Sequence, residues 1–135
     1  QRGAPRPGRR GSRTPRRRDE VLVASKVAPQ PEGSGFRPEQ ISTACDATLG
    51  RLGIDALDLY QLHWPDDDVP VEESRGAMAG LQDAGKVRWL GFSEWTPAQV
   101  RAALALPYAR FVSSQPQYSL LWRQPEAELF PLCGH

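Results

Sequence analysis

The sequence has few of the residues that build metal sites, disulfide frameworks or membrane spans. It contains two cysteines and two histidines in 135 residues, and neither Cys45 nor Cys133 lies in a CxxC or Cys/His cluster. Isolated thiols indicate a reducing compartment, so the cytoplasm is expected. No apolar run approaches the roughly 18 residues of a membrane span, and no signal-peptide core follows the basic N-terminus. We therefore expect no membrane partner.

The phosphate-binding loops of the common nucleotide folds are also missing. No strand–helix junction carries GxGxxG, and GxxxxGK[ST] does not occur. This disfavours a doubly wound dinucleotide-binding sheet. The apolar share of 39% lies below the globular average of about 45–50%, and the shortfall is concentrated at the N-terminus.

The N-terminal segment, residues 1–18, is rich in Arg, Pro and Gly and has no acidic residue. It holds eight of the 17 basic residues, so the remaining nine face 16 acids and residues 19–135 carry a net charge of −7. Such a composition cannot offset chain entropy, and we expect a disordered tail. Three interpretations stay open: a GC-rich gene translated out of frame, a solvated tail, or a nucleic-acid-binding arm. No aromatic residue interleaves the arginines, so no nucleic-acid partner is expected.

From residue 19 onward, strand-like and helix-like segments alternate. The predicted strands cover residues 21–27, 57–63, 87–93 and 111–115. The first, VLVASKV, is typical of a strand buried on both faces.

Helix signals separate these strands. One helix is predicted from Pro38 to a stop at Gly53, a second ends at Gly85, and a third begins at Pro97. Their buried faces are predicted from the helical spacing of apolar and small side chains: Ile41, Ala44, Cys45, Thr48 and Leu52; Val71, Ser74, Ala77, Met78 and Leu81; Val100, Ala103 and Leu104. Thr96 and Gln99 form a capping box before the third helix, and a fourth helix is predicted from about Pro125.

This alternation predicts an α/β fold with a parallel sheet. A complete (β/α)8 TIM barrel needs roughly 250 residues. We therefore predict a partial barrel of about four central strand–helix units over residues 19–135, after the tail of residues 1–18.

Each predicted strand ends near a polar residue, and in such barrels the carboxyl ends of the strands hold the chemistry. His63 could polarise a carbonyl or exchange a proton, although a lone histidine is more often structural. Lys26 within an apolar run must be paired, reach the rim or be functionally perturbed. A buried ammonium beside a weak acid would lower the pKa of that acid. Ser93 and Gln115 offer neutral hydrogen bonds that suit an amide ligand, or they cap strand ends.

Other residues near the strand ends have simpler interpretations. Trp64 and Trp95 could wall a pocket for a flat substrate, or pack at the rim. Residues 66–68, three aspartates, lack calcium-loop spacing and indicate a solvated loop, so no metal is expected. Cys45 lies on a helical stripe and is expected in the core.

Four segments, taken in order, resemble the aldo-keto reductase family. They are RDEVLVASKV at residues 18–27, LGRLGIDALDLYQLHWPD at 49–66, GKVRWLGFSEW at 85–95 and SSQPQYSLLWRQPEAELFPLC at 113–133. The resemblance implies a (β/α)8 barrel that reduces aldehydes or ketones to alcohols with NADPH. A small carbonyl substrate is the implied partner.

The resemblance also implies residue roles. Lys26 and His63 match two of the four catalytic positions: the lysine assists proton donation by a tyrosine, and the histidine orients the carbonyl. Ser93, its neighbour Glu94, and Gln115 match the positions that hold the nicotinamide carboxamide.

Two departures from the family pattern matter for activity. Many members have Asn where this chain has Glu94, and a carboxylate cannot donate to the carboxamide oxygen. The catalytic Asp and Tyr normally precede the RDEV segment, and Tyr60, Tyr108 and Tyr118 do not match the tyrosine motif. The isolated chain, viewed as a fragment, is expected to have little reductase activity and to bind NADPH weakly. The alternative is a non-catalytic or regulatory relative, since Glu94 and QPQYSLLWR also resemble the branch containing potassium-channel β subunits.

Overall fold

The computed structural model describes residues 18–29, 33 and 35–134. Of the tail predicted over residues 1–18, residues 1–17 lie outside this part of the chain. Four parallel strands form one sheet in sequence order: β1 (Ala24–Val27), β2 (Leu57–Leu62), β3 (Val87–Ser93) and β4 (Ser113–Gln115). The helices are α1 (Pro38–Leu52), α2 (Val71–Asp83), α3 (Pro97–Leu104) and α4 (Leu129–Cys133), with single 3-10 turns at Arg18–Glu20 and Gln124–Glu126. The predicted α/β architecture with a parallel sheet is confirmed.

The predicted helix boundaries follow from local sequence signals. Pro38 opens α1, and Gly53 closes it with a φ of 66°, a left-handed conformation that glycine adopts without strain. In the capping box that begins α3, the Thr96 hydroxyl accepts from the Gln99 N–H, and the Gln99 side chain accepts from the Thr96 N–H. Both capping predictions are confirmed.

The helices pack side by side against one face of the sheet. α1 contacts α2 and α2 contacts α3, while Tyr60, Leu62, Leu90 and Phe92 project from the strands into the same core. On the opposite face, which we call the open face, Lys26 and Trp89 are exposed, whereas Gln61 and Ser93 are buried. Among the described residues, no helix is long and apolar enough to cross a membrane.

Several predicted boundaries and buried positions are wrong. β1 begins at Ala24 rather than residue 21, and its preceding side chains Val21 and Leu22 are exposed. Within β1, Lys26 is exposed and Val27 is buried, so the strand is buried on one face only. Leu52 and Leu104 are likewise exposed, because each lies in the last turn of its helix, beyond the sheet.

The fourth unit also differs from its prediction. β4 starts at Ser113 rather than residue 111, although the Val112 N–H already donates to the Leu90 carbonyl. Instead of one helix from Pro125, a 3-10 turn precedes the five-residue α4. Pro131 lacks an N–H to donate and so cannot take part in a longer hydrogen-bonded ladder.

Candidate functional site

The carboxyl ends of the four strands meet at one edge of the sheet, which we call the carboxyl edge. Ser93 is the register partner of Gln115, and the His63 N–H donates to the Val27 carbonyl at 2.9 Å. His63, Ser93 and Gln115 therefore follow one another across the sheet at the same level. Lys26 lies one pleat lower, since its register partner is residue 61. The structure thus brings the four predicted strand-end residues to one edge.

A hydrogen bond joins Ser93 to Gln115. The buried Ser93 hydroxyl donates to the Gln115 backbone carbonyl at 2.6 Å. The Ser93 oxygen keeps lone pairs that can accept, and the Gln115 side chain is exposed with both an acceptor and a donor available. The pair forms a small, pre-formed set of neutral hydrogen-bonding groups.

Glu94 follows directly in a strained backbone conformation. Its φ is +53°, and it is the one non-glycine residue with positive φ in the described part of the chain. Such strain costs on the order of 1 kcal/mol or more and clusters at ligand sites. Glu94 begins the short link between β3 and α3.

The two tryptophans after the strand ends are placed differently. Trp64 is 40% exposed and stacks on His63, with ring centroids 4.2 Å apart and planes 16° apart. Trp95 is buried in an aromatic cluster with Phe92 and Phe111. Trp64 therefore fixes the face of the His63 ring, whereas Trp95 lines cavities on the helix side of the edge.

The Lys26 side chain is exposed and open to a ligand or to a neighbouring residue. Within residues 18–29, 33 and 35–134, no hydrogen bond or ion pair to its ammonium occurs. Of the possibilities raised by the sequence, pairing does not occur within the described residues. The ammonium remains available to act on a partner.

Gln61 is a site residue that the sequence analysis missed. It is 3% exposed, and its Nε2 donates to the Ser113 hydroxyl at 3.3 Å, bridging β2 to β4 across β3. The bridge needs Gly91, where a Cβ would lie 2.9 Å from the Ser113 carbonyl oxygen and 3.0 Å from the Gln61 Cγ. Two signals pointed to it: the two-residue spacing from His63, and a glycine inside a strand.

A buried carboxylate stabilises the opposite edge of the sheet. Asp58 accepts from the Val23 N–H at 2.8 Å and pairs with Arg18 at 2.6 Å and Arg88 at 3.3 Å. The Val23 hydrogen bond, followed by the arginines, lowers the pKa of Asp58 despite its burial. This group is structural, because it lies at the amino ends of the strands.

The aspartates of residues 66–68 form a turn after β2. The Asp68 N–H donates to the Asp66 carboxylate at 3.2 Å, which is an Asx turn. Among the described residues, no three His, Cys, Asp or Glu side chains cluster in a way that could hold a metal ion.

The parallel strand–helix order and the polar carboxyl edge define a chain of the α/β-barrel class. A family model, the Aldo/keto reductase family, matches residues 8–135. The chain therefore belongs to the aldo-keto reductase family, as the sequence motifs predicted.

Two similar proteins support the family assignment by sequence, and a solved structure supports it by fold. Probable aldo-keto reductase 1 of Glycine max is 37% identical over 82% of this chain and 31% of its own length. Aldo-keto reductase YhdN of Bacillus subtilis (strain 168) is 37% identical over 85% of this chain and 35% of its own length. The crystal structure of the thermostable aldo-keto reductase Tm1743 with the inhibitor epalrestat matches with a TM-score of 0.80 and 31% identity, over 87% of this chain and 42% of that one.

The chain spans about a third of the length of the curated relatives it matches. Its four strand–helix units match part of a solved aldo-keto reductase structure, which confirms the predicted partial barrel.

Proposed function

We propose that this chain is part of an oxidoreductase that reduces aldehydes or ketones to alcohols with NADPH. The observation that carries the proposal is the hydrogen bond between Ser93 and Gln115, which lies beside His63 on the carboxyl edge. A neutral hydrogen-bonding pair next to an imidazole suits an amide ligand and a carbonyl side by side.

The residues present fit a nicotinamide carboxamide. The free Gln115 amide can donate to the carboxamide oxygen, while the Ser93 oxygen and the Glu94 carboxylate can accept from its NH2 group. Because the Ser93 proton is already used on the Gln115 carbonyl, Gln115 becomes the principal donor. When bound, NADPH would supply the hydride.

His63 and Lys26 act on the carbonyl and on its proton donor. The His63 imidazole, which stacks on the Trp64 ring, hydrogen bonds to the substrate oxygen and orients the carbonyl. The Lys26 ammonium lowers the pKa of an acid placed beside it. Both groups lie on the open face of the sheet, where a substrate has access.

None of the three tyrosines of this chain serves as that acid. Tyr60 is buried on the helix face, where burial raises the pKa of its hydroxyl. Tyr118 donates to Glu126, and Tyr108 lies beside Arg75 on α2. General acid catalysis is worth typically 10²- to 10⁴-fold, so we propose that the 135-residue chain alone turns over slowly.

The proposal is tested by measuring NADPH binding and NADPH oxidation on the same sample. With a panel of aldehydes, we expect binding to the chain and a turnover about 10²- to 10⁴-fold below a full-length aldo-keto reductase assayed alongside. The residual rate should fall in His63→Ala and persist in Asp83→Asn, a surface change at the end of α2, whereas Lys26→Met should change it little because no tyrosine of this chain is the acid on which Lys26 would act. Turnover equal to the full-length enzyme, or an unchanged rate in His63→Ala, would contradict these roles. Cofactor binding with no residual turnover would favour the regulatory alternative.

The cellular setting is also part of the proposal. Cys45 and Cys133 are both free thiols, which suits the reducing cytoplasm. We propose a small carbonyl compound as the partner there.

A further inference from the structure

A buried amide side chain crosses the open face of the sheet one level below the carboxyl edge. Gln61 on β2 is 3% exposed, and its Nε2 donates to the Ser113 hydroxyl on β4 at 3.3 Å. The register places Gly91 of β3 between the two residues. A Cβ on Gly91 would lie 3.0 Å from the Gln61 Cγ, so the side chain runs directly over the glycine. This bridge joins two strands that are not neighbours in the sheet.

Packing alone does not require polar atoms at either end of the bridge. A buried amide is costly unless it is hydrogen-bonded, and a buried pair of this kind stabilises a fold little more than two apolar groups of the same shape. Gln61→Met and Ser113→Ala would nearly fill the same space. The hydrogen bond adds a fixed direction and a fixed distance between the two strands.

β4 is the strand that most needs such a restraint. It is three residues long, its side chains are half-buried or exposed, and among the described strands it pairs with β3 alone. Short segments with few buried contacts open locally at low cost. Two side-chain bonds hold β4: Gln61 donates to the Ser113 hydroxyl, and the Ser93 hydroxyl donates to the Gln115 carbonyl. Without the first bond, the strand can pivot about residue 115.

The two ends of the bridge lie below the two groups that the proposed reaction brings together. His63 follows Gln61 by two residues on β2. Gln115 follows Ser113 by two residues on β4, and residues two apart in a strand share a face. The bridge therefore sets the distance between the imidazole that orients the carbonyl and the amide that binds the nicotinamide. Hydride transfer requires these two ligands to be held close together.

We infer that Gln61 is a positioning residue, which acts through Ser113 to hold β4 so that Gln115 stays beside Ser93 and at a fixed distance from His63. This inference rests on the proposed function, because it concerns the nicotinamide site of that function. Gln61 acts through the strand rather than by contact with the cofactor.

The first measurement needs no cofactor and follows amide hydrogen exchange by NMR in the 135-residue chain. Gln61→Met and Ser113→Ala each remove the bridge, whereas Ser113→Thr keeps the hydroxyl. We expect the first two variants to speed exchange of the β4 amides about fivefold and to leave the amides of β2 and β3 near their parent rates. A role in overall stability alone would speed exchange in all three strands together.

Gln82 on α2 offers a matched control. Its Nε2 donates to the Arg88 carbonyl at 2.7 Å, in a hydrogen bond that is exposed to solvent. Gln82→Met makes the same chemical change as Gln61→Met and also removes one hydrogen bond. It should leave the exchange of the β4 amides unchanged.

The second measurement is the affinity of the same samples for NADPH. Gln61→Met and Ser113→Ala should each weaken binding about fivefold. The double variant should bind no more weakly than either single variant, because the bridge is lost only once. Ser113→Thr and Gln82→Met should bind NADPH as the parent does.

The outcomes separate this inference from the proposed function. A parent chain that binds no NADPH overturns the proposed function and this inference with it. If the parent binds NADPH, three results overturn the inference alone: equal affinity in Gln61→Met, additive losses in the double variant, or β4 exchange that is unchanged or rises only together with the other strands.

Discussion

At the scale of single residues, Asp58 is the buried charge on which the amino edge of the sheet depends. It satisfies the Val23 N–H and two arginines from separate segments of the chain. Replacing it with asparagine removes the charge but keeps the shape. We expect Asp58→Asn to lower the free energy of unfolding by about 1–3 kcal/mol, measured by urea denaturation.

A matched control is available in an exposed pair. Asp46 pairs with Lys86 at 2.5 Å, but its side chain is 54% exposed, so Asp46→Asn should cost no more than about 1 kcal/mol. Equal losses of unfolding free energy in Asp58→Asn and Asp46→Asn would show that the burial of Asp58 does not increase its contribution to stability.

The same carboxylate predicts an acid dependence of stability. Its pKa is lower in the folded protein than in the unfolded chain, so its contribution is complete above the ordinary Asp pKa of about 3.9. The contribution is lost as the pH falls through the lowered folded-state value. Urea midpoints measured from pH 6 to pH 3 should therefore fall more steeply for the parent than for Asp58→Asn. Parallel curves would contradict the assignment.

The two thiols should differ sharply in reactivity. Burial, followed by the neighbouring Asp46 charge, raises the pKa of Cys45, while Cys133 is exposed. Because the thiolate is the reactive form, N-ethylmaleimide should modify one cysteine in the native chain and both in denaturant. Mass spectrometry of digests identifies which one. Modification of Cys45 under native conditions would mean that α1 is not packed as described.

At the scale of elements, the approach of β3 to β4 depends on the missing side chain at Gly91. Adding a Cβ there would push against the Ser113 carbonyl and Gln61. We expect Gly91→Ala to destabilise the protein by about 1–3 kcal/mol in urea denaturation, and to weaken NADPH binding because β4 carries Gln115.

Gly80 provides a control at which adding a methyl group should stabilise the protein instead. It lies within α2, and a Cβ there meets open space. Gly80→Ala should stabilise the protein by up to about 1 kcal/mol and leave NADPH binding unchanged. Comparing Gly91→Ala with Gly80→Ala separates two effects: the general preference of alanine over glycine in helices and strands, and a steric clash of the new Cβ at the site.

The same elements show what sequence patterns can and cannot predict. α1 and α3 were predictable because Pro38, Gly53 and the Thr96 capping box act locally. Arg75 was not predictable: it lies fully buried on α2, with the Ala109 carbonyl as a partner and the Phe111 ring 4.1 Å away. Only tertiary packing decides whether an arginine in a helix faces solvent or the core.

At the scale of the whole molecule, the parallel sheet decides which polar residues meet. His63, Ser93 and Gln115 are separated by 30 and 22 positions in sequence, yet the register aligns them at one edge. The carboxyl end of each strand could be predicted because an apolar run ends there near a polar residue, so these residues could be predicted as well. The path of the chain over residues 118–126 could not, since it depends on side-chain contacts such as those of Glu126 with Tyr118 and Arg123.

We propose that the carboxyl edge holds the nicotinamide of NADPH through Ser93 and Gln115. The most direct measurement is a ¹⁵N NMR titration of the 135-residue chain with NADPH, a method suited to weak binding. We predict shifts in the backbone signals of residues 63, 93–94 and 115 and in the Gln115 side-chain NH2 signals, and their loss in Gln115→Ala. Shifts confined to the amino edge around Asp58, or an unchanged pattern in Gln115→Ala, would contradict this placement of the nicotinamide.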